Sequence, residues 1–315
     1  MKVLVTGGAG FIGSHIVRRM LDLEHEVVVL DNFSTGRRSN LEAVASEIDV
    51  HAGDVGCLDH VERAVAGCDA VFHEAALPSV PRSIADPLSS HQANATGTLN
   101  VLVAARDAGA RRVVIASSSS VYGSVPDLPK RESMPTLPMS PYAVSKLAAE
   151  SYCRAWFDLY GLETVALRYF NVFGPRQDPM SAYAAVVPRF IAAYRAGEPP
   201  VIFGDGQQSR DFTYVDNVVD ANIGALESPA APGRVYNIAC HDSVTLNELA
   251  HELRELMGTD TRPVHAAPRP GEVRHSLASI DAARQDLGYE PKVTLREGLR
   301  RTIQAFELEP MEVPA

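Results

Sequence analysis

The chain has 315 residues, a length that predicts either two lobes or one large α/β unit. Hydrophobic residues make up 46% and charged residues 22%, and these ordinary globular values exclude disordered, collagenous and coiled-coil proteins. The formal net charge of −10 argues against a broad surface for nucleic acid or for an anionic membrane. An anionic ligand must therefore be held by local arginines.

The four cysteines, Cys57, Cys68, Cys153 and Cys240, lie far apart and form no CxxC pair. They are too few for a disulfide scaffold in a chain of this length, so we expect a reducing compartment. The sequence shows neither a basic leader with a cleavage site nor an apolar run long enough to span a bilayer. These features predict a soluble, cytoplasmic protein.

The first 120 residues alternate short β-branched runs with longer amphipathic stretches, the pattern of right-handed βαβ units on a parallel sheet. The longest helix in this half has the clearest start, because Ser140 is a good N-cap and Pro141 occupies the first helical position. Strands are predicted at 2–6, 26–30, 48–52, 69–73, 111–117 and 163–168, and helices at 11–23, 58–66, 90–108 and 140–160.

Beyond about residue 170 the alternation weakens, and proline and glycine cluster. Thr245 and Glu248 form a capping-box pattern at the start of one helix in this half. We expect a smaller lobe that packs on the carboxyl-terminal edge of the sheet. Its predicted helices cover residues 182–196, 215–227, 245–257 and 294–306.

A glycine-rich turn follows the first predicted strand. Gly7, Gly10 and Gly13 have GxxGxxG spacing, which allows a tight turn and lets a pyrophosphate approach the backbone N–H groups at a helix N-terminus. Asp31 ends the second strand, where its carboxylate can accept hydrogen bonds from both ribose hydroxyls and would repel a 2′-phosphate. The turn and the acid together predict a dinucleotide site that prefers NAD over NADP.

Other residues near this edge have two interpretations. Asp54, at the end of the third strand, binds the adenine amine or serves as a turn residue. Arg37 and Arg38 contact the cofactor or belong to a solvated loop. We expect His73 to pack near the cofactor rather than to bind a metal, because no second ligand has a suitable spacing.

Tyr142 and Lys146 stand four residues apart on one face of the helix that begins near Ser140. The preceding strand ends in four serines, and small hydroxyl residues at such a strand end face the ligand crevice. An ammonium about 4 Å from a phenol, at an effective dielectric of about 20, supplies the roughly 4 kcal/mol that lowers the phenol pKa to about 7. Tyr142 is therefore a candidate general base, with the Ser118 hydroxyl sharing the substrate proton.

These motifs together resemble the extended short-chain dehydrogenase/reductases of the NAD-dependent epimerase/dehydratase family, over nearly the whole chain. Dehydratases of this superfamily carry Asp-Glu where this chain has Ser119 and Ser120, and decarboxylating relatives usually carry a glutamate there. Reversible oxidation is then the simplest chemistry left. In the epimerases that the chain resembles, the tyrosine removes the proton of the sugar 4-hydroxyl, and the resulting ketone turns over and is reduced on its opposite face.

The resemblance implies an α/β fold, with a Rossmann-type doubly wound parallel sheet over residues 1–170 that binds NAD. It implies a smaller C-terminal α/β lobe over residues 171–315 that mainly binds substrate, with some segments returning to the sheet. The cofactor site that we infer comprises Gly7, Gly10, Phe11, Ile12, Gly13, Asp31, Asn32, Asp54, Val55, Ala75, Tyr142 and Lys146.

Several segments of the second half are similar to the UDP-N-acetylglucosamine 4-epimerases. A bulky tyrosine at the position of Ser276 would close the pocket beside the sugar 2-substituent, whereas serine leaves space for an N-acetyl group. Arg82 and Gln177 either contact that group or are ordinary loop residues. By resemblance, Arg210 and Arg269 bind the diphosphate. The inferred substrate site comprises Arg82, Ser119, Ser120, Asn171, Gln177, Ala185, Val186, Arg210, Arg269 and Ser276.

The resemblance implies a UDP-sugar 4-epimerase with bound NAD that favours UDP-N-acetylglucosamine and UDP-N-acetylgalactosamine. Interconversion of UDP-glucose and UDP-galactose, or of UDP-N-acetylhexosaminuronates, stays open within the same class. The alternative from another class is a non-catalytic NAD-sensing regulator, against which the intact Tyr142–Lys146 pair argues. The family commonly dimerises through two long helices, here 90–108 and 140–160, so we expect a homodimer and neither nucleic acid, membrane nor metal as a partner.

Overall fold

The computed structural model of the chain describes residues 1–178, 185–268 and 273–308. The strands are β1 (Lys2–Thr6), β2 (Glu26–Asp31), β3 (Ile48–Ala52), β4 (Ala70–His73), β5 (Arg112–Ser118), β6 (Glu163–Tyr169), β7 (Val172–Phe173), β8 (Val201–Phe203), β9 (Ser209–Arg210), β10 (Thr213–Tyr214), β11 (Arg234–Ile238), β12 (Val244–Thr245) and β13 (Val264–Ala266). The α-helices are α1 (Phe11–Asp22), α2 (Leu58–Val65), α3 (Val80–Ala85), α4 (Pro87–His91), α5 (Gly97–Asp107), α6 (Pro141–Tyr160), α7 (Val186–Arg195), α8 (Val215–Glu227), α9 (Leu246–Met257), α10 (Asp281–Leu287) and α11 (Leu295–Leu308).

Among the described residues, seven parallel strands form the central sheet in the order β3-β2-β1-β4-β5-β6-β11. The strand order reverses between β1 and β4, so a crevice opens at their carboxyl ends. This topology confirms the predicted Rossmann-type doubly wound α/β fold. The crevice is where such sheets bind their ligands.

Helices cover both faces of the sheet, and alternate strand residues point to opposite faces. Val3 and Val5 pack on the side of α1 and α8, whereas Leu4 packs on the side of α2, α5 and α6. A third apolar core, separate from these two, joins α7, α9 and α11 in the second half of the chain. The division of the chain at residue 170 stays a prediction, and β11 crosses it by returning to the sheet.

Arg112 connects β5 to the end of α8. Its side chain is 2% exposed, and its Nη1 donates to the carbonyl oxygens of Ala225, Leu226 and Ser228 at 3.0, 2.6 and 2.7 Å. Its Nη2 lies 2.7 Å from a Glu163 carboxylate oxygen. The guanidinium thus satisfies carbonyl groups that the helix end leaves without an intrahelical partner.

Three predictions of secondary structure need correction. The sheet has a seventh strand, β11, that the sequence analysis did not include. The helix expected at 90–108 begins at Pro87, where Asp86 accepts a hydrogen bond from the Ser89 N–H, and a π-helical segment interrupts it at Gln92–Thr96. The helix expected at 182–196 begins at Val186, and residues 179–184 lie outside the described residues.

Within the described ranges, no helix combines the length and the apolar character that crossing a bilayer requires.

Candidate active site

The glycine-rich turn joins β1 to α1 at the edge of the crevice. Gly7 has a φ of +69°, and a Cβ there would lie 2.6 Å from the Ala75 backbone nitrogen. A Cβ on Gly13 would lie 2.2 Å from the Gly7 carbonyl oxygen. In the described structure no side chain caps α1, so the N–H groups of Phe11 and Ile12 in its first turn are available to an anion. This arrangement fits a pyrophosphate.

Asp31 lies at the end of β2, buried and oriented by the backbone. Its two carboxylate oxygens accept hydrogen bonds from the N–H groups of Ala9 and Phe33, at 2.9 and 2.8 Å. Burial raises its pKa, and these two hydrogen bonds oppose the effect. Each oxygen keeps a second lone pair, which fits the ribose hydroxyls of a dinucleotide.

Three other predicted cofactor residues line the same end of the sheet. The Asn32 Nδ2 donates to the Asp54 carboxylate at 2.8 Å, and Val55 is buried against α5, where a Cβ on Gly97 would lie 2.7 Å from its side chain. The two nearby arginines are engaged within the protein. Arg37 pairs with Asp178 at 2.9 Å, and the Arg38 guanidinium lies 3.9 Å from the centre of the Phe33 ring.

Ser118, Tyr142 and Lys146 come together at the carboxyl end of β5. Ser118 is the last residue of that strand, and its hydroxyl hydrogen-bonds the Tyr142 phenol. The Ser140 hydroxyl accepts from the Ala143 N–H at 3.2 Å and fixes the start of α6, as the sequence predicts. One helical turn after Tyr142, the Lys146 Nζ donates to the Ala116 carbonyl oxygen at 2.7 Å.

The charge balance around Tyr142 differs from the sequence-based expectation. Burial raises the pKa of Tyr142, the hydrogen bond from Ser118 opposes this, and the Glu74 carboxyl group adds to it. Burial also lowers the pKa of Lys146 to about 8, against the raising effects of Glu74 and Glu150. On balance, the protein's own groups therefore shift the Tyr142 pKa upward, because both groups are desolvated and a second acid lies nearby. The predicted lowering also counted the positive charge of the nicotinamide and stays a prediction.

Glu74 is that acid, and the sequence analysis did not include it. It directly follows β4, and its Oε1 accepts a hydrogen bond from the Tyr169 hydroxyl at 2.8 Å. Burial raises its pKa to about 7, while the Tyr169 hydrogen bond and the Lys146 charge lower it. Its place at the carboxyl end of a strand is the signal that pointed to Asp31 and Ser118, and that signal could have found it.

His73, the residue before Glu74, packs inside the fold. Its Nδ1 lies 2.7 Å from the Thr6 hydroxyl and its Nε2 lies 3.0 Å from the Thr98 hydroxyl. Burial lowers its pKa to about 3. Across the described residues, no group of three or more His, Cys, Asp or Glu side chains is arranged to hold a metal ion.

A cavity of about 270 Å³ lies in the second half of the chain. Four predicted substrate residues line it, namely Asn171, Ala185, Val186 and Arg210. The Arg210 guanidinium is held by the carbonyl oxygens of Ser209 and Arg274, at 2.9 and 3.2 Å. Residues that the sequence analysis did not include complete the wall, among them Arg189, Phe190, Phe203, Gln208 and Phe212.

The remaining predicted substrate residues lie around this cavity or outside the described chain. The backbone N–H of Ser276 donates to the Ser209 carbonyl oxygen at 3.0 Å, which places Ser276 beside the strand that carries Arg210. In the described structure, the Ser120 Oγ and the Gln177 Oε1 are buried without a hydrogen-bond partner. Ser119 begins the 3-10 turn after β5, Arg82 lies on α3, and Arg269 falls outside the described residues.

Comparison with known proteins gives matches over nearly the full chain. A UDP-glucose 4-epimerase of Mycolicibacterium smegmatis is 41% identical over 316 residues, which cover 97% of this chain and 98% of that protein. The structure of a UDP-N-acetylglucosamine 4-epimerase from Methanobrevibacter ruminantium, in complex with UDP-N-acetylmuramic acid, matches with 42% identity and a TM-score of 0.93, covering 97% of this chain and 98% of the other. That of a UDP-glucose 4-epimerase from Thermus thermophilus in complex with NAD matches with 38% identity and a TM-score of 0.90, covering 98% and 99%.

The family model described as the NAD dependent epimerase/dehydratase family matches residues 3–239, which include the glycine-rich turn, the serine run and the Tyr142–Lys146 pair. The match spans more than half of the chain, and the full-length similarities agree with it. The chain therefore belongs to the NAD-dependent epimerase/dehydratase family.

Proposed function

We propose that this protein interconverts UDP-N-acetylglucosamine and UDP-N-acetylgalactosamine by NAD-dependent epimerisation at carbon 4. The broader activity, a NAD-dependent UDP-sugar 4-epimerase, is supported by full-length relatives with that reaction in their names. Their sugars differ, and an identity of 41% to a UDP-glucose enzyme against 42% to a UDP-N-acetylglucosamine enzyme does not discriminate. The choice of sugar is therefore argued from the site.

The observation that carries the proposal is the convergence of Ser118, Tyr142 and Lys146 at the crevice that the glycine-rich turn borders. Tyr142 is the proton acceptor there, the Ser118 hydroxyl hydrogen-bonds it, and Lys146 is a buried cation. The three residues lie within one turn of α6 and at the end of β5. The turn would hold the pyrophosphate of NAD, and Asp31 would hold its ribose. When bound, NAD supplies reversible oxidation at carbon 4 and a positive charge that favours the phenolate.

The protein's own residues handle the proton. Tyr142, as the phenolate, takes the proton of the sugar 4-hydroxyl while carbon 4 becomes a ketone, and the same phenol returns that proton when the ketone is reduced on its opposite face. The Ser118 hydroxyl holds the sugar oxygen and the phenol in hydrogen-bonding contact. Lys146, oriented by the Ala116 carbonyl, supplies positive charge beside the phenolate.

Epimerisation also requires the nucleotide portion of the substrate to be bound firmly while the sugar stays free to rotate. The cavity lined by Asn171 and Arg210 would bind the UDP portion, because the Arg210 guanidinium is a planar donor suited to diphosphate oxygens. It lies in the half of the chain beyond β6, apart from the Tyr142 pair on α6. The nucleotide can therefore stay fixed while the sugar reorients near the phenol.

Two features support an N-acetylated sugar. Ser276 has a small side chain and lies beside the strand that carries Arg210. If the sugar binds as the family resemblance implies, this serine leaves volume next to the sugar 2-substituent. The buried oxygens of Ser120 and Gln177, for which the described residues supply no partner, offer hydrogen-bonding capacity to an acetamido N–H or to sugar hydroxyls. A UDP-glucose substrate, which has only a hydroxyl at carbon 2, would use this space less fully.

Incubation of the purified protein with UDP-N-acetylglucosamine and no added cofactor tests the proposal. We expect UDP-N-acetylgalactosamine to form, with a lower kcat/KM for UDP-glucose in a parallel assay. A third assay with UDP-N-acetylglucosaminuronate measures whether a carboxylate at carbon 6 is also accepted. A second set with added NAD separates a missing cofactor from a missing activity. Conversion of UDP-glucose with none of UDP-N-acetylglucosamine would contradict the choice of sugar.

The Tyr142→Phe variant tests the chemistry. It should bind NAD as the parent does and lose at least a hundredfold in kcat, as expected when a general base is removed. If its turnover equals that of the parent, Tyr142 is not the base. If the parent binds NAD and turns over none of these sugars, the regulator alternative is favoured instead.

A further inference from the structure

A line of three polar side chains reaches the active site from α8. Asn222 is fully buried there, and its Nδ2 donates to the Val218 carbonyl oxygen at 2.9 Å and to the Tyr169 hydroxyl oxygen at 2.8 Å. A carbonyl oxygen can only accept, so the contact with Val218 identifies the amide nitrogen. Tyr169 therefore accepts from Asn222, and its own proton is directed at Glu74, 2.8 Å away.

This arrangement gives Glu74 the role of acceptor. A hydroxyl that donates to a carboxyl oxygen favours the ionised form, and burial opposes that form. Together with the charge of Lys146, which also favours the ionised form, these effects hold the pKa of Glu74 at about 7, with burial the largest. Glu74 thus changes charge within the neutral range, next to the pair that performs the proposed proton transfer.

The charged groups around the pair come from three elements. From β4, Glu74 acts on both Tyr142 and Lys146. Glu150, on α6, also acts on Lys146, but its carboxylate is engaged by the Arg168 guanidinium on β6 through bonds of 2.9 and 2.7 Å.

Two other ionisable groups face the pair or its neighbours. Burial and the charge of Lys146 together lower the pKa of His73 to about 3, so the imidazole is neutral near pH 7. Tyr169 faces Glu74, and burial raises its pKa well above the ordinary value, so it is neutral as well. Among the described residues, Glu74 is therefore the carboxyl group that acts on both Tyr142 and Lys146, and the hydrogen bond that it accepts comes from the neutral hydroxyl of Tyr169.

We propose that Glu74 is a positioning residue for the proton transfer, whose carboxylate keeps Lys146 charged and sets the pH at which Tyr142 releases its proton. The effect on turnover rests on the proposed function, whereas the effect on Tyr142 does not. Asn222 and Tyr169 hold the carboxylate in place and favour its ionised state. Glu74 needs no contact with the sugar for this role.

The sign of the effect follows from charge. An ionised Glu74 raises the pKa of Tyr142 by repelling the phenolate, and it raises the pKa of Lys146 by stabilising the ammonium. Removing the charge lowers both values. Because the phenolate limits activity at low pH and the ammonium limits it at high pH, the whole bell-shaped profile should move towards lower pH.

The Glu74→Gln variant tests this, since its amide oxygen can still accept from Tyr169. We expect both limbs of the kcat/KM profile to shift by about one pH unit to lower pH, the size expected for a unit charge several ångströms away at an effective dielectric of about 20. The second readout needs no substrate. Near-ultraviolet titration of tyrosinate in the NAD-saturated enzyme, taken as the difference between each protein and its Tyr142→Phe counterpart, isolates Tyr142 and should show the same shift.

Two further variants keep the test decisive. Tyr169→Phe removes the donor to Glu74, so Glu74 stays neutral over a wider range and a smaller shift in the same direction is expected. Glu132→Gln is the matched control. It changes another half-buried acid whose pKa is raised by burial, one that accepts from the Asn237 N–H instead, and it should leave the titration of Tyr142 unchanged.

If the Tyr142 titration is the same in folded Glu74→Gln as in the parent, the proposal is overturned. Should Glu74→Gln fail to fold, an unshifted titration in Tyr169→Phe would overturn it equally. A shifted titration without turnover of any UDP-sugar would support the role of Glu74 and count against the proposed function.

Discussion

Ser276 is the single residue on which the proposed sugar preference depends most. Its backbone N–H donates to the Ser209 carbonyl oxygen, which holds the Ser276 backbone beside the strand that carries Arg210. A larger side chain at this position would therefore occupy the space next to that strand. A well-packed site accommodates extra atoms poorly.

Ser276→Tyr should discriminate against the acetylated sugar. We expect a loss of kcat/KM for UDP-N-acetylglucosamine of roughly 5- to 150-fold, the effect of an overpacking cost of about 1–3 kcal/mol, and little change for UDP-glucose. Ser276→Ala is the control, because it removes the hydroxyl and adds no volume. Equal kinetics of Ser276→Tyr on both sugars would show that this position does not limit the sugar 2-substituent.

Residues with a local signal could be predicted, and residues whose role depends on distant partners could not. Gly7 and Asp31 follow strands at fixed spacing, and Ser140 begins a helix, so neighbouring residues identify them. Glu74 acquires its acceptor role only through Tyr169, which lies 95 residues along the chain. The lining of the cavity by Phe190 is equally non-local, because an apolar residue on a helix looks the same whether it packs in a core or against a ligand.

At the level of secondary-structure elements, the anchoring of α8 to β5 by Arg112 holds the second half of the chain against the sheet. Arg111 offers an internal comparison, since it also contacts Glu163 and the Leu226 carbonyl, at 3.1 and 3.3 Å, but is 49% exposed. Water can replace the exposed contacts and cannot reach the buried ones. The two adjacent arginines should therefore differ strongly in their contribution to stability.

Arg112→Met should lower the free energy of unfolding by about 2–4 kcal/mol, because it leaves buried carbonyl groups at the end of α8 without their donor and removes the closer of the two arginines at Glu163. Arg111→Met should cost less than about 1 kcal/mol. Urea denaturation followed by circular dichroism measures both. Equal midpoints for the two variants would mean that the buried guanidinium contributes nothing beyond an exposed ion pair.

The elements were predictable where caps and periodicity agree. The start of α6 at Pro141 follows from its cap, and the same signal of a polar cap followed by proline marks α4 at Asp86 and Pro87, where it was not used. The strand β11 was not predicted, since its five residues include Arg234 and Asn237 and form no continuous apolar run. Pairing with β6 distinguishes it, and pairing is a property of the folded chain.

At the scale of the whole molecule, α6 carries an aromatic stripe whose first two residues are partly buried against the core. Tyr152, Trp156 and Tyr160 stack along successive turns, with ring centroids 5.9 and 5.1 Å apart. Leu159 beside them is 73% exposed, and Leu88 on α4 is 81% exposed. We propose that this surface is the interface of a homodimer, because large apolar side chains on neighbouring helices are unfavourable in water.

Light scattering after size-exclusion chromatography should give the mass of a dimer for the parent. Leu88→Asp and Leu159→Asp should each shift it towards the monomer, with a change in the fluorescence of Trp156, the chain's one tryptophan. Leu308→Asp on α11 changes an equally exposed leucine and should leave the mass unchanged. A parent that runs as a monomer would exclude this interface.

The position of β11 in the sheet means that the chain cannot be cut at residue 170 without exposing a strand edge. A polypeptide ending at residue 170 would leave β6 with an unsatisfied backbone edge and no α8 against that face of the sheet. Such an edge recruits foreign strands and promotes aggregation. We therefore expect residues 1–170 to fold properly only together with the residues that follow them.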